Sequence, residues 1–443
     1  MQIRLPDKVN NIIEILTAAG FEAYAVGGCV RDRILGRKPN DWDITTSATP
    51  EETKRLFNRT VDTGIRHGTV TVMLGREGFE VTTYRIDGDY EDGRHPKEVT
   101  FTACLEEDLK RRDFTINAMA YNEQSGLVDI FGGMRDIEQG IIRCVGDARE
   151  RFTEDALRML RAVRFSAQLG YQVEEETKGA IRKMAPNLRL ISAERIQAEL
   201  IKLVTSPHPD YLRVAYETGI TKQILPEFDI CMETEQNNPH HCYGVGEHIL
   251  HAMTEIEADK VLRLGMLFHD IGKPETLTVD EKGIIHNKGH AIVGEKMTRK
   301  IMNRLKFDND TTDKVTKIVL YHDQEITPTD SGVRHAVNRM GEDIFPMLFS
   351  VRRADILAQS DYHREEKLQK LAYIKEIYDG ILLRQECLNL KNLAVTGNDL
   401  MMLGIPAGRE LGMLLKELLE IVLEEPERNT REELLSICRE KIQ

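Results

Sequence analysis

The sequence holds no run of eighteen or more apolar residues, so no segment reads as a membrane span. Its N-terminus, MQIRLPDKVNNIIEIL, lacks the apolar core and small-residue cleavage site of a secretory signal and shows a helical apolar pattern instead. The seven cysteines (Cys29, Cys104, Cys144, Cys231, Cys242, Cys387, Cys438) include no pair at metal-site or redox spacing, and their number is odd. That usage predicts a reducing, cytoplasmic setting. Internal repeats and low-complexity tracts are missing too. So is an excess of basic residues: 60 Lys and Arg face 73 Asp and Glu, a formal net charge of −13. A deficit of that size argues against indiscriminate polyanion binding, although phosphate contacts depend on local patches rather than totals.

What is present suffices for several cores. The 443 residues are 41% hydrophobic and 30% charged, and the length predicts roughly three domains. Residues 3–19 carry Val9, Ile12, Ile13 and Leu16 at helical spacing, with Gly20 as a stop. FEAYAV reads as a strand, Gly27-Gly28 as a turn, VRDRILG as a short helix and DWDITT as a second strand. TPEETKRLF opens a helix with Thr49 as N-cap and Pro50 in its first position. GTVTVML and FEVTTYRI alternate like paired strands. Between them and Val99 lies DGDYEDGRHPKE, read as a mobile loop. From Thr153 onward almost everything reads as helix.

Asp41 and Asp43 flank Trp42. Residues two apart in a strand share a face, so both carboxylates aim at one spot. Like charges held close are costly unless a cation sits between them, and Mg²⁺ suits a site shared with substrate phosphates. Two solvated acids on an edge strand are the bland alternative. The upstream context favours the site: Gly27 and Gly28 let backbone approach a phosphate, and Arg31, beside Asp32, can grip a triphosphate in two-pronged fashion. Arg112 in RRDFTINAMAY is a further candidate triphosphate contact, although an Arg-Asp ion pair explains RRD equally well.

The segments VGGCVRD, DWDITT, TGIRHGTVTV, RRDFTINAMAY, EDALRMLRAVRFSAQLG and SAERIQAEL, in that order from about Tyr24 to Leu200, resemble the motifs of class II tRNA nucleotidyltransferases. These are the CCA-adding enzymes, which share their catalytic head with bacterial poly(A) polymerases. The resemblance implies a polymerase-β-like head with Asp41 and Asp43 as Mg²⁺ ligands. It also implies a third carboxylate on a neighbouring strand, for which Glu80 is the candidate. It assigns Asp113 and Asn117 to ribose hydroxyls. Asp155 and Arg158 would select the base, with Arg161 and Arg164 in support. The chemistry is sound: a carboxylate accepts from the exocyclic amine of cytosine or adenine, and an Arg fork donates to ring acceptors, a pattern that uracil and guanine do not offer. Taken alone, acid and Arg three apart on EDALRMLRAVRF also describe a solvated helix face. The loop DGDYEDGRHP resembles the one these enzymes use for the adenosine step. The basic segment typical of the poly(A) polymerases is replaced by TGIRHGTVT.

Seven of the thirteen histidines lie between His240 and His290. His248, His269-Asp270 and Asp355 have the order of an HD-type metal phosphohydrolase, and His290 and His322 suit the extra ligands of a two-metal version. Imidazole with carboxylate suits Mn, Fe, Ni or Co, with Mg as a further candidate. Core histidines satisfying hydrogen bonds are the alternative. His240, His241, His251 and His286 carry no assignment. In the tail, GIPAG marks a turn and NTREELL a helix capped by Asn429 or Thr430.

The expected fold is α+β: a polymerase-β-like nucleotidyltransferase head with a mixed, largely antiparallel sheet (1–145), then an all-helical neck (146–232), an HD-like domain (233–366) and a tail (367–443). The expected activity is addition of C, C and A to tRNA 3′ ends from CTP and ATP, with Mg²⁺ in the head and a second divalent metal in the HD-like part. Alternatives are addition of A alone, poly(A) synthesis, metal phosphohydrolysis as the main activity, or RNA binding without catalysis.

Overall fold

The computed structural model describes residues 2–88, 99–236 and 242–442. Its chain divides into two compact units, Met1–Pro226 and Glu227–Gln443. The loop expected between Asp87 and Val99 falls almost wholly outside the described residues, as do His240 and His241. Among the described residues no helix is long and apolar enough to cross a membrane.

Among the described residues the first unit holds eleven strands: β1 (Ala23–Val26), β2 (Asp43–Thr46), β3 (Thr60–Gly64), β4 (Thr69–Leu74), β5 (Glu77–Thr83), β6 (Arg85–Asp87), β7 (Val99–Phe101), β8 (Ala120–Asn122), β9 (Gly126–Val128), and a short parallel pair, β10 (Ile141–Ile142) with β11 (Gln172–Val173). Seven of them form one sheet in the order β3-β4-β5-β2-β1-β8-β9, while β6 and β7 pair separately. All neighbours in the large sheet are antiparallel except β2 and β5, which run parallel. β1 is buried on both faces, as a central strand of small and apolar residues should be. The helix α1 (Asp7–Ala18) buries Val9, Ile12, Ile13 and Leu16, the spacing that puts four side chains on one face. Each is worth about 2 kcal/mol of transfer free energy.

Register decides what meets at the end of this sheet. Ala25 lies opposite Ile44, Val26 opposite Ala120, and Asp43 level with Glu80. The turn that leaves β1, the acids that enter β2, the middle of β5 and the residues ahead of β8 therefore share one edge. The short helix α2 (Gly28–Ile34) starts there. Behind it, α3 (Pro50–Leu56) begins with a reciprocal capping box: Thr49 accepts from the Glu52 N–H, and the Glu52 carboxylate accepts from the Thr49 N–H. Two further short helices, α4 (Leu105–Lys110) and α5 (Gly133–Gln139), flank β8 and β9 in sequence.

After the sheet come the helices α6 (Ala148–Glu154), α7 (Leu157–Leu169), α8 (Glu175–Met184) and α9 (Ala193–Val204). EDALRMLRAVRF is not one helix. Asp155 sits between α6 and α7 with extended backbone, φ −146° and ψ 104°. Its carboxylate accepts from the Leu157 N–H, at 3.0 Å, in competition with helical pairing. Leu157, Leu160 and Val163 are buried, as their spacing predicts, but Arg164 is buried as well, so the Arg face is not a solvated one.

The second unit is helical apart from a short hairpin in which Thr278–Val279 pairs with Ile285–His286. Its last helices, Arg409–Glu424 and Arg431–Ile442, close over an apolar cluster that includes Leu400, Leu418, Val422 and Leu434. Thr430 is the residue that caps Arg431–Ile442, since its hydroxyl accepts from the Glu433 N–H. Asn429 instead ties back to Ala394 and Asn392.

Candidate active site

A cavity of about 670 Å³ opens at the shared edge of the sheet, within the range usual for small-ligand sites. Gly27, Gly28, Arg31, Asp32, Asp41, Asp43, Arg112, Asp113, Asn117, Arg161 and Arg164 all line it. So do Arg37, Lys38 and Lys202, which sequence reasoning did not single out. Seven cationic side chains thus face four aspartates, a local excess of positive charge in a chain whose sum is negative.

Gly27 has φ +85°, open chiefly to glycine, and a Cβ there would lie 2.9 Å from Nη1 of Arg112. The turn therefore makes room for the Arg112 guanidinium at the cavity wall. Asp41 lies just ahead of β2 and Asp43 opens it. Burial, then the Asp41 charge, push the Asp43 carboxyl above its ordinary value; Arg112 opposes this and Glu80 adds to it. Asp41 and Glu80 thus both act on Asp43, and the two aspartates at the cavity are hard-oxygen donors of the kind Mg²⁺ takes. Cys29, under the same turn, is pushed up to about 12 by burial, so it presents a thiol and no nucleophile.

Ion pairs organise the far wall. Arg31 donates to Asn117 Oδ1 at 2.5 Å and to Asp32 Oδ1 at 2.7 and 2.9 Å. Asp113 accepts from Arg161 at 2.6 and 2.9 Å, from Asn117 at 3.2 Å and from the Phe114 N–H at 2.9 Å. Burial opposes its ionisation, but the Arg161 guanidinium holds its carboxyl far below the usual range. Glu199, buried on α9, accepts from Arg164 at 2.8 Å and lies 3.5 Å from Arg161. Arg164 stacks on Phe165 with 3.4 Å from guanidinium carbon to ring centre. Asp108, fully buried, pairs with Arg111 and Arg112 and accepts from Thr45 beside Asp43.

Glu80, Asp155 and Arg158 do not line the cavity. Arg158 donates to the carbonyls of Arg151 and Arg111 at 3.2 and 3.0 Å and pairs with Glu154. Asp155 is gripped by Arg195 from α9. The supporting residues Arg195 and Glu199 stand four apart in SAERIQAEL, a spacing that puts them on one helix face and is the signal that could have found them.

In the second unit His248, His269, Asp270, His290, His322 and Asp355 converge from the ends and interiors of five helices. Among the described residues, His248, His269 and Asp270 form one group with ligand atoms within 4.8 Å of one another, and Asp270, His290 and His322 form another. Nδ1 of His269, His290 and His322 faces a backbone carbonyl at 2.7–2.8 Å. A carbonyl only accepts, so each of these Nδ1 atoms carries a proton, and Nε2 is the lone-pair atom wherever the ring is neutral; at His269 burial favours the neutral ring, but the Asp270 and Asp355 carboxylates outweigh it and raise its pKa. Yet the Nε2 atoms of His248 and His269 are 3.2 Å apart, as are those of His290 and His322. Between neutral rings of His290 and His322 this contact sets lone pair against lone pair, which a cation would relieve, while His248 Nε2 also faces the Asp355 carboxylate; outer carbonyls that fix the tautomer are usual around metals. Burial and the neighbouring His269 push His322 down to about 4, which keeps its lone pair available at neutral pH. Asp355 stands 2.9 Å from His248, and Lys273 stands 2.7 Å from Asp270.

Three family models match the chain: the poly A polymerase head domain over residues 23–143, an RNA- and SrmB-binding site of polymerase A over 170–232, and tRNA nucleotidyltransferase domain 2 over 290–438. The CCA-adding enzyme of Lactobacillus helveticus is 50% identical over 231 residues, 51% of this chain and 57% of that protein. That of Lactiplantibacillus plantarum is 56% identical over 209 residues, 47% and 50%. These alignments span about half the length of the curated relatives. The CCA-adding enzyme of Streptococcus mutans matches end to end, 34% identical over 436 residues, 97% of this chain and 96% of that protein. Among solved structures, the Bacillus stearothermophilus CCA-adding enzyme in complex with CTP superposes with a TM-score of 0.72 at 31% identity, covering 98% of this chain and 96% of that one.

Proposed function

This chain belongs to the CCA-adding enzymes, and on that premise we propose that it adds C, C and A to tRNA 3′ ends from CTP and ATP, releasing pyrophosphate. The observation that carries the proposal is the cavity in which Asp41 and Asp43 meet a cluster of arginines and lysines. Asp41 and Asp43 would hold Mg²⁺, with Glu80 as the third carboxylate on the neighbouring strand. Bound there, Mg²⁺ supplies activation of the primer hydroxyl and charge neutralisation at the leaving pyrophosphate. Arg31, Arg112, Arg161 and Arg164 offer donors to a triphosphate, Asp113 and Asn117 face the ribose, and Asp155 with Arg158 reads the base. Residues 1–145, 146–232, 233–366 and 367–443 divide into head, neck, HD-like part and tail, with neck and tail meeting tRNA in the cytoplasm. The test uses transcripts lacking one, two or three terminal nucleotides, sized on a single-nucleotide gel. The expected outcome is restoration of CCA on all three and none with Asp43→Ala; extension of only the transcript that lacks A would mark an A-adding enzyme.

A second role is favoured by the facing Nε2 atoms of the histidine cluster: a divalent-metal site held by His248, His269, Asp270, His290, His322 and Asp355, serving phosphoester hydrolysis. Elemental analysis of purified chain should find one to two transition-metal ions per molecule in the wild type and a loss in His269→Ala. Metal-free wild type that hydrolyses no phosphoester after Mn²⁺ addition would remove this role.

A further inference from the structure

We propose that Arg195 determines which bases the enzyme accepts, by holding the Asp155 carboxylate in one orientation; this rests on Asp155 being the base-reading group. Asp155 lies in the break between α6 and α7; its N–H reaches the Arg151 carbonyl and its own carbonyl accepts from the Arg158 N–H, but neither bond orients the carboxylate. Three donors fix it instead. Arg195 Nη1 reaches Oδ1 at 3.2 Å, Arg195 Nη2 reaches Oδ2 at 2.7 Å, and the Leu157 N–H reaches Oδ1 at 3.0 Å. A carboxylate offers about four lone-pair directions, two on each oxygen. The guanidinium fork takes one on each oxygen and Leu157 takes the second on Oδ1. One acceptor is left, on Oδ2, with its direction set by the plane of the fork. A single directed acceptor suits one N–H of the cytosine or adenine amine. Before the carbonyl of uracil or guanine it places lone pair against lone pair.

The anchor is itself anchored. Glu199, one helical turn beyond Arg195, holds Arg164 at 2.8 Å, so α9 presents a cation to the base-reading acid and an acid to the cavity arginines from one face. Arg158, three residues from Asp155, is meanwhile held by the carbonyls of Arg151 and Arg111. Without Arg195, the Asp155 carboxylate regains several acceptor directions and can turn toward Arg158, which would occupy both base readers at once. Arg195 is therefore a positioning residue whose loss acts on selectivity.

The experiment measures kcat/KM for CTP and for UTP on a transcript lacking the terminal CCA, with full-length wild type, Arg195→Ala, Arg195→Lys, Asp155→Ala and the Asp155→Ala/Arg195→Ala double variant. Arg195→Ala should lower the CTP-to-UTP ratio by about tenfold or more, the scale of one bidentate recognition pair. The double variant should match Asp155→Ala, because both changes remove one interaction. Arg195→Lys keeps the charge without the fork and should fall between wild type and Asp155→Ala, which also provides the answer if Arg195→Ala does not fold. A merely structural role would lower both rates together and leave the ratio unchanged, and that result overturns the proposal. If Asp155→Ala lowers the ratio while both Arg195 variants keep it within about twofold of wild type, Arg195 is excluded and Asp155 keeps its role. If Asp155→Ala itself leaves the ratio unchanged, the base-reading assignment fails and this inference fails with it.

Discussion

At Asp113 four hydrogen bonds converge on one buried carboxylate: two from Arg161, one from Asn117 and one from the Phe114 N–H. Burial alone would raise its pKa, but the Arg161 charge and these donors lower it well below the ordinary carboxylate value. The sign of the linkage follows. A depressed folded pKa means stability that is present above the unfolded value of about 3.9 and lost as pH falls through the folded one. Asp113→Asn should therefore cost about 1–3 kcal/mol at pH 6, because it leaves Arg161 without its anionic partner. The gap between wild type and variant should narrow by about 1 kcal/mol at pH 3, where the unfolded carboxyl is already largely protonated. Urea unfolding of both proteins at the two pH values checks this, and a gap that stays constant or widens toward acid would contradict the assigned ion pair. The same carboxylate links Arg161 on α7 to Asn117 ahead of β8, so one residue ties this helix to the sheet within the first unit.

Elements show which parts of this architecture local chemistry dictates. β1, β2, α1 and the capped α3 follow from apolar spacing and from Thr49, Pro50 and Glu52, all within a few residues of the structure they specify. Asp41 and Asp43 line one cavity, but Asp41 lies ahead of β2, outside the strand from which the two-residue period was read. The parallel pairing of β2 with β5, which sets Asp43 level with Glu80, depends on partners 37 residues apart and has no local signature. The break at Asp155 was hidden for a related reason. Helical spacing of Leu157, Leu160 and Val163 runs on smoothly from Glu154, and only the carboxylate's bond to the Leu157 N–H interrupts it. Gly27 was legible as a turn but not in its use: the atom it makes room for belongs to Arg112, far along the chain. Arg195 and Glu199 were not singled out, although their four-residue spacing puts them on one helix face, and their partners on α7 and in the α6–α7 break left no local signal. Long-range ion pairs leave no periodic mark in a sequence.

On the scale of the whole molecule, the two sites lie in different compact units, and their donor sets predict different dependence on metal. Carboxylates with water and substrate phosphate hold Mg²⁺ loosely, whereas four imidazoles and two carboxylates hold a transition metal tightly. A ligand bound only to the folded state stabilises it by about 2.7 kcal/mol when present at a hundred times its dissociation constant. For a unit of roughly 200 residues that corresponds to about 5–10 °C in melting temperature. Removing the metal should cost at least as much, because the Nε2 atoms of His248 and His269, and of His290 and His322, would stay 3.2 Å apart with nothing between them. Calorimetry of the full chain after chelation should therefore show one transition moving down by that amount and the other unchanged. His269→Ala identifies the moving transition: its melt should start low and no longer respond to the chelator. Equal shifts in both transitions, or a chelator response that survives in His269→Ala, would show that the histidine cluster is a packed core of tautomers rather than a metal centre, and would leave the nucleotide cavity as the chain's single catalytic site.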